Sequence, residues 1–143
     1  MDINNLTKEQ AIAEHRKMWN WIADRLEDHN DPGYDIFTYK AMYMKENFPD
    51  DYIQHNCFCC QYAVQENNNN SLTCINCPLI WGTEDNTDEF FCEQGNRDVP
   101  FEDIYLFGEK GYGLWNYAQY LTKNHDYKEA AKIARQIANL PER

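Results

Sequence analysis

The stretch from Thr7 to His29, which reads TKEQAIAEHRKMWNWIADRLEDH, decides the fold of this chain of 143 residues. Its first four residues match a capping box, in which the threonine oxygen accepts a hydrogen bond from a backbone amide and Gln10 reaches back. Turn-forming residues follow at Asp31-Pro32-Gly33, so a helix is predicted over about residues 7–29. Its apolar or ring-bearing residues recur at helical spacing: Ala11, Ile12, His15, Met18, Trp19, Ile22 and Leu26.

A second helix is predicted from about Ile36 to Asn47, and Pro49 stops it. A third is expected over about residues 114–121, and the capping-box-like start Asp126-Tyr127-Lys128-Glu129 opens a last helix that ends near Pro141. The face predicted to be buried in the second helix consists of Phe37, Ala41, Met44 and Phe48. The apolar stripe of the last helix consists of Ala130, Ala131, Ile133, Ala134, Ile137 and Leu140.

No linker rich in glycine or serine divides the chain, so residues 1–143 are expected to form one mainly α domain with little strand. We expect a helical scaffold over residues 7–48 and 112–140, and an insert that contains the cysteines over residues 55–109. The first residues lack the pattern of a signal peptide, and no stretch approaches the roughly 18 apolar residues of a membrane span. A cytoplasmic protein without membrane contact is therefore expected.

The cysteines carry the clearest chemical signal in the sequence. The CxxC pairs Cys57/Cys60 and Cys74/Cys77 are separated by 13 residues, and each can bring two thiolates together from one tight turn. In a cytoplasmic chain, six cysteines are more typical of metal binding than of disulfides. The spacing predicts a structural zinc ion held by four thiolates, a closed shell that leaves no coordination position for catalysis.

Three other residues near the pairs bear on the ligand set. Cys92 could replace one of the inner cysteines, and His55 is a weaker alternative. Cys59 lies beside a predicted ligand and is expected to be packed or uncoordinated. A redox role for a CxxC pair would favour a thioredoxin-like βαβ setting, which this sequence does not indicate.

The acidic residues are concentrated in one part of the chain. The formal net charge of −11 disfavours binding to nucleic-acid phosphates or to anionic membranes. Nine acidic residues and one basic residue lie between Glu84 and Glu109, among several aromatic rings. Either the rings fill the core and the acids stay in solvent, or the stretch forms a contact surface that suits a basic partner. The residues predicted to contact such a partner are Glu84, Asp85, Asp88, Glu89, Asp98, Phe101, Glu102, Asp103 and Tyr105.

An ordered set of short motifs covers most of the chain. The set consists of EHRKMWNWIA at 14–23, CFCCQYA at 57–63, CINCPLIW at 74–81, the later Cys92, GLW at 113–115 and ARQIANLPER at 134–143. It resembles a widespread family of small, mostly uncharacterised bacteriophage proteins. The resemblance implies a phage origin, the cytoplasm of the bacterial host and zinc, but no activity. This chain departs from the family pattern in Cys59 and in its long acidic insert.

These features favour a non-enzymatic protein that binds a host protein with a basic surface, and inhibition of an antiviral defence system is the expected role. One alternative is an acidic DNA mimic that occupies a nucleic-acid-binding cleft of its partner. A second is a small metal-dependent hydrolase or nuclease that uses acids of the 84–109 stretch. No catalytic constellation with a recognisable local context is present, and the acids of the pairs Asp50-Asp51 and Glu102-Asp103 diverge from each other.

Overall fold

The computed structural model describes residues 2–51, 58–66, 77–79 and 114–142. Within these ranges the chain is mainly helical, as predicted, and no helix there is long and apolar enough to cross a membrane. The helices are α1 (Lys8–Glu27), α2 (Ile36–Asn47), α3 (Phe58–Glu66), α4 (Leu114–Lys123) and α5 (Tyr127–Ala138).

The first helix forms as its sequence predicts. Gln10 N donates to Thr7 Oγ1 at 3.1 Å, and Thr7 N donates to Gln10 Oε1 at 3.0 Å, so two backbone amides are satisfied reciprocally. All seven residues of the predicted apolar stripe are buried, together with Ala23. The amphipathic pattern therefore gives both the helix and the face that it presents to the core.

Among the described helices, α1 packs most extensively against α5, from the opposite end of the chain. The buried side chain of His15 lies with Nε2 2.9 Å from the carbonyl oxygen of Ile137. Because a carbonyl oxygen can only accept, this nitrogen is the donor. Arg135 donates to Asn20 Oδ1 at 3.0 Å and forms ion pairs with Asp24 and Glu27. Apolar stripes and polar contacts thus join the two helices.

The second helix has the predicted bounds, but its predicted buried face is only partly confirmed: Met44 is buried and Phe48 packs against the core. The side chain of Phe37 is 54% exposed and Ala41 is exposed, whereas Ile36, Tyr39 and Tyr43 are buried. Apolar residues lie all around this short helix, so periodicity alone does not select a face. Tyr39 and Tyr43 can be buried because each hydroxyl has a carboxylate partner, at 2.8 Å and 3.2 Å respectively.

Helix α3 (Phe58–Glu66) was not predicted. Its nine residues, FCCQYAVQE, lie inside the segment that contains the cysteines. It packs on α1, and Phe58, fully buried, packs its ring against those of Tyr43 and Phe48. The side chain of Gln65 links this helix to the segment ahead of α1. It accepts a hydrogen bond from Leu6 N and donates one to Leu6 O, both at 3.0 Å. Two backbone groups ahead of α1 are thereby satisfied.

The described residues of all five helices contribute to one hydrophobic core. Leu79 belongs to it, although it lies outside the helices, and is fully buried. An isolated antiparallel β-bridge pairs Leu79 with Glu142, just beyond α5. The chain that follows the second cysteine pair is therefore fixed to the α1–α5 unit.

Replacing His15 by alanine should lower the free energy of unfolding by roughly 2–4 kcal/mol. The substitution leaves a cavity and removes the His15 donor from the Ile137 carbonyl, which keeps the longer hydrogen bond from Leu140 N at 3.4 Å. Chemical denaturation measures the loss, and Lys17→Ala on the exposed side of α1 is the control, expected within about 0.5 kcal/mol of wild type. Equal losses in the two variants would contradict the assigned role of His15.

Candidate functional site

Most of the predicted site lies outside the described residues. This holds for Cys57, Cys74, the alternative ligands Cys92 and His55, and all the residues predicted to contact a partner between Glu84 and Tyr105. The zinc site and the contact surface therefore stay predictions. Three cysteines, Cys59, Cys60 and Cys77, can be described.

The described cysteines divide between the core and its edge. Cys59 is fully buried, with Sγ 4.0 Å from the carbonyl oxygen of Ala11, which confirms that it is packed. Cys60 is half-buried against the core, and Cys77 is 7% exposed. One cysteine of each CxxC pair thus packs against the same hydrophobic core.

The connection between the pairs is long enough to bring them together. From Cys60, the remaining six residues of α3 extend about 9 Å, and residues 67–73 can span about 23 Å in return. In residues 2–51, 58–66, 77–79 and 114–142, no three potential metal-binding side chains form a group. The donor set fits zinc through thiolates, with two of the four outside those ranges.

A groove of about 640 Å³ lies elsewhere, where the end of α1 meets the turn between α4 and α5. It is lined by residues 25–29, Asp31, Gly33, Tyr39 and residues 125–128. The sequence did not indicate this site, because the two loops that build it are almost a hundred positions apart. The only local signals were the turn at Asp31-Pro32-Gly33 and the cap at Asp126.

Asp31 lines this groove, and hydrogen bonds and an ion pair fix the position of its carboxylate. Its side chain is 4% exposed and accepts hydrogen bonds from Tyr39 Oη at 2.8 Å and Gly33 N at 2.9 Å. Arg25 lies 3.6 Å away and stacks over the ring of Trp21. Burial raises the pKa of Tyr39 well above its ordinary value, and the hydrogen bond to Asp31 raises it further. This carboxylate therefore has a structural role rather than that of an available base.

Two residues with left-handed backbone, one in each loop, lie where the two sides of the groove meet. His125 has φ of 60°, a conformation that costs energy in a residue with a side chain, and its Nδ1 lies 2.8 Å from Tyr127 Oη. Gly33 has φ of 82°, and a Cβ atom there would lie 2.5 Å from the ring of Tyr127. Close contact between Tyr127 and the Gly33 backbone thus joins the two loops.

The groove is a mixed polar site whose acidic groups already serve the fold. Asp28 accepts from the amide of Asn30, Asp126 caps α5, and Glu27 pairs with Arg135. Its histidines, His29 and His125, are exposed. It can offer imidazole and hydroxyl hydrogen bonds to a small polar molecule, but the paired carboxylates favour a structural joint.

Comparison of the chain with protein-family models, with curated proteins and with solved structures gives no match in any of the three. The functional interpretation therefore depends on the chemistry of the residues.

Gly33→Ala should destabilise the protein by roughly 2 kcal/mol, because the residue needs positive φ and lies against Tyr127. Thermal unfolding of Gly33→Ala, Tyr127→Ala and the double variant separates these causes. In the Tyr127→Ala background the cost of the new methyl should fall to about 1 kcal/mol, which is the backbone part alone. An unchanged cost in that background would contradict the close contact.

Proposed function

We propose that this chain is a phage-encoded, non-enzymatic, zinc-stabilised protein that binds a host protein with a basic surface in the bacterial cytoplasm. An inhibitor of an antiviral defence system is the role that fits best. The acidic stretch from Glu84 to Glu109 is the proposed contact surface, and the helices are its support.

The observation that carries this proposal is the way segment 80–113 is attached. Leu79, just before it, and Leu114, just after it, are 0% and 1% exposed. Both ends of the acidic segment are therefore fixed to the same hydrophobic core. Binding residues are commonly carried by connecting segments whose ends a rigid scaffold holds in place.

The charge distribution favours a partner with a basic surface. Segment 80–113 contains nine acidic and two basic residues, whereas residues 114–142 contain three acidic and four basic residues. A segment of this charge repels nucleic acid and attracts a basic protein surface, at a rate that salt reduces. Aromatic rings among the acids would supply the buried anchors that dominate binding energy in protein interfaces.

Zinc would stabilise the chain between α3 and Leu79. Cys57, Cys60, Cys74 and Cys77 are the proposed ligands, and the burial of Cys59 favours its exclusion from the set. Four thiolates around one dication form a closed site, so the metal would contribute folding energy, on the order of 10 kcal/mol, rather than catalysis.

Cys60→Ser should remove zinc, whereas Cys59→Ala should retain it. Elemental analysis of protein purified without added zinc should give about one atom per chain for wild type and for Cys59→Ala, and much less for Cys60→Ser. The Cys59 variant is the matched control, because it alters a neighbouring thiol that is packed in the core. Well-folded wild-type protein without zinc would refute the site.

Neutralising the acidic stretch should abolish partner binding. The variant Asp98→Asn, Glu102→Gln, Asp103→Asn removes three charges from it, and Glu46→Gln, Asp50→Asn, Asp51→Asn removes three from exposed positions of the scaffold. Affinity purification from host cells should recover a basic protein with wild type and with the scaffold variant but not with the first, and high salt should weaken recovery.

Equal recovery with both triple variants, or no specific protein with wild type, would contradict the proposed function. Addition of duplex DNA separates the binder from the DNA mimic. Release of the captured protein by DNA would indicate that the acidic stretch occupies a nucleic-acid-binding cleft of the partner.

A further inference from the structure

Lys40 is an unusual residue for a helical core. It lies in the middle of α2 with only 2% of its surface exposed, although lysine is almost never fully buried unless its charge is paired. Within the described ranges, neither a carboxylate nor a hydrogen-bond acceptor is assigned to its ammonium group. Its contacts there are with aromatic rings.

Two tryptophans from different helices hold the ammonium group. Lys40 Nζ lies 5.7 Å from the ring centroid of Trp19 on α1 and 5.2 Å from that of Trp115 on α4. Both distances are within the range of cation–π attraction, and indole provides the strongest ring face for it. Trp19 is 1% exposed and Trp115 is 8% exposed, so water competes weakly for the charge.

Docking of Trp115 and burial of the Lys40 charge depend on each other. If Trp115 left its place, the ammonium would lose one of its two ring contacts and would have to be hydrated. If Lys40 lost its charge, Trp115 would lose an electrostatic contact that an apolar neighbour does not supply. Phe37, one turn before Lys40 on α2, packs edge-on against Trp115 with ring centroids 4.9 Å apart. Residues of α2 therefore contact this indole at two points.

We propose that Lys40 is a cation–π latch that holds the first turn of α4 against α1 and α2. Trp115 is the second residue of α4, next to Leu114, the buried residue that follows segment 80–113. The latch sets how firmly that attachment point is docked, whatever the segment binds. Undocking requires the charge of Lys40 to be exposed, so the docked and undocked arrangements form two discrete states.

The latch is tested by hydrogen exchange in the full-length protein with a fluorinated tryptophan placed at position 115 alone. Fluorine withdraws electron density from the ring face and leaves the ring almost the same size. The amides of Ala118 and Gln119 report on the first turn of α4, and those of Ala134 and Ile137 in α5 are the internal reference.

In the protein with Lys40, a tetrafluorinated ring should accelerate exchange at Ala118 and Gln119 by about tenfold, with little change in α5. In Lys40→Met, which has a side chain of similar length without charge, the same ring should change exchange very little. Equal acceleration in the two backgrounds, or none with Lys40 present, would overturn the proposal. Rings with one, two and four fluorines in the Lys40 protein give a second measurement if Lys40→Met does not fold. A graded increase supports the latch, and the absence of a gradient overturns it.

Discussion

The packing of α1 against α5 closes the chain on itself, and each of the other described helices is positioned by one of these two. α2 and α3 contact α1, and α4 contacts α5. Each large apolar side chain that this arrangement buries contributes roughly 1.5–3 kcal/mol. The contact from His15 to the Ile137 carbonyl and the ion pairs of Arg135 add directional bonds to the apolar stripes. The packed pair of α1 and α5 thus supports the other described helices.

This arrangement explains how a small domain can carry a long, strongly charged segment. Leu79, which pairs with Glu142, and Leu114 are the buried residues on either side of segment 80–113. Both attachment points are buried leucines. Under the proposed function the acids of segment 80–113 would contact a partner, whereas the charges of residues 114–142 are largely balanced.

The sequence predicts the long amphipathic helices well, because one periodic stripe and one cap determine each of them. The stripes of α1 and α5 and the caps at Thr7 and Asp126 are all confirmed. The buried face of α2 was only partly predicted: Met44 and Phe48 pack against the core, but Phe37 and Ala41 are exposed. Apolar residues lie on every side of this helix, and the choice depends on hydroxyl partners from other elements. No periodic signal marks α3, which has only nine residues.

The sites were harder to predict than the helices, because they combine residues that are distant in sequence. The groove needs Gly33 to meet Tyr127, and the cage around Lys40 needs indoles from α1 and α4. Neither pairing has a local signature. The cysteine pairs are the opposite case, since thiolates three positions apart carry their chemistry in the spacing alone. Cys59 could be assigned to the core only after α3 had been placed.

We propose that the packed helices α1 and α5 do not need metal, whereas the cysteine segment would depend on zinc. Hydrogen exchange of the full-length protein, before and after treatment with a strong zinc chelator, tests it most directly. We expect the backbone amides of α3 to lose protection from exchange when zinc is removed, whereas those of α1 and α5 keep theirs. Loss of protection throughout the chain, or no change in α3, would contradict it.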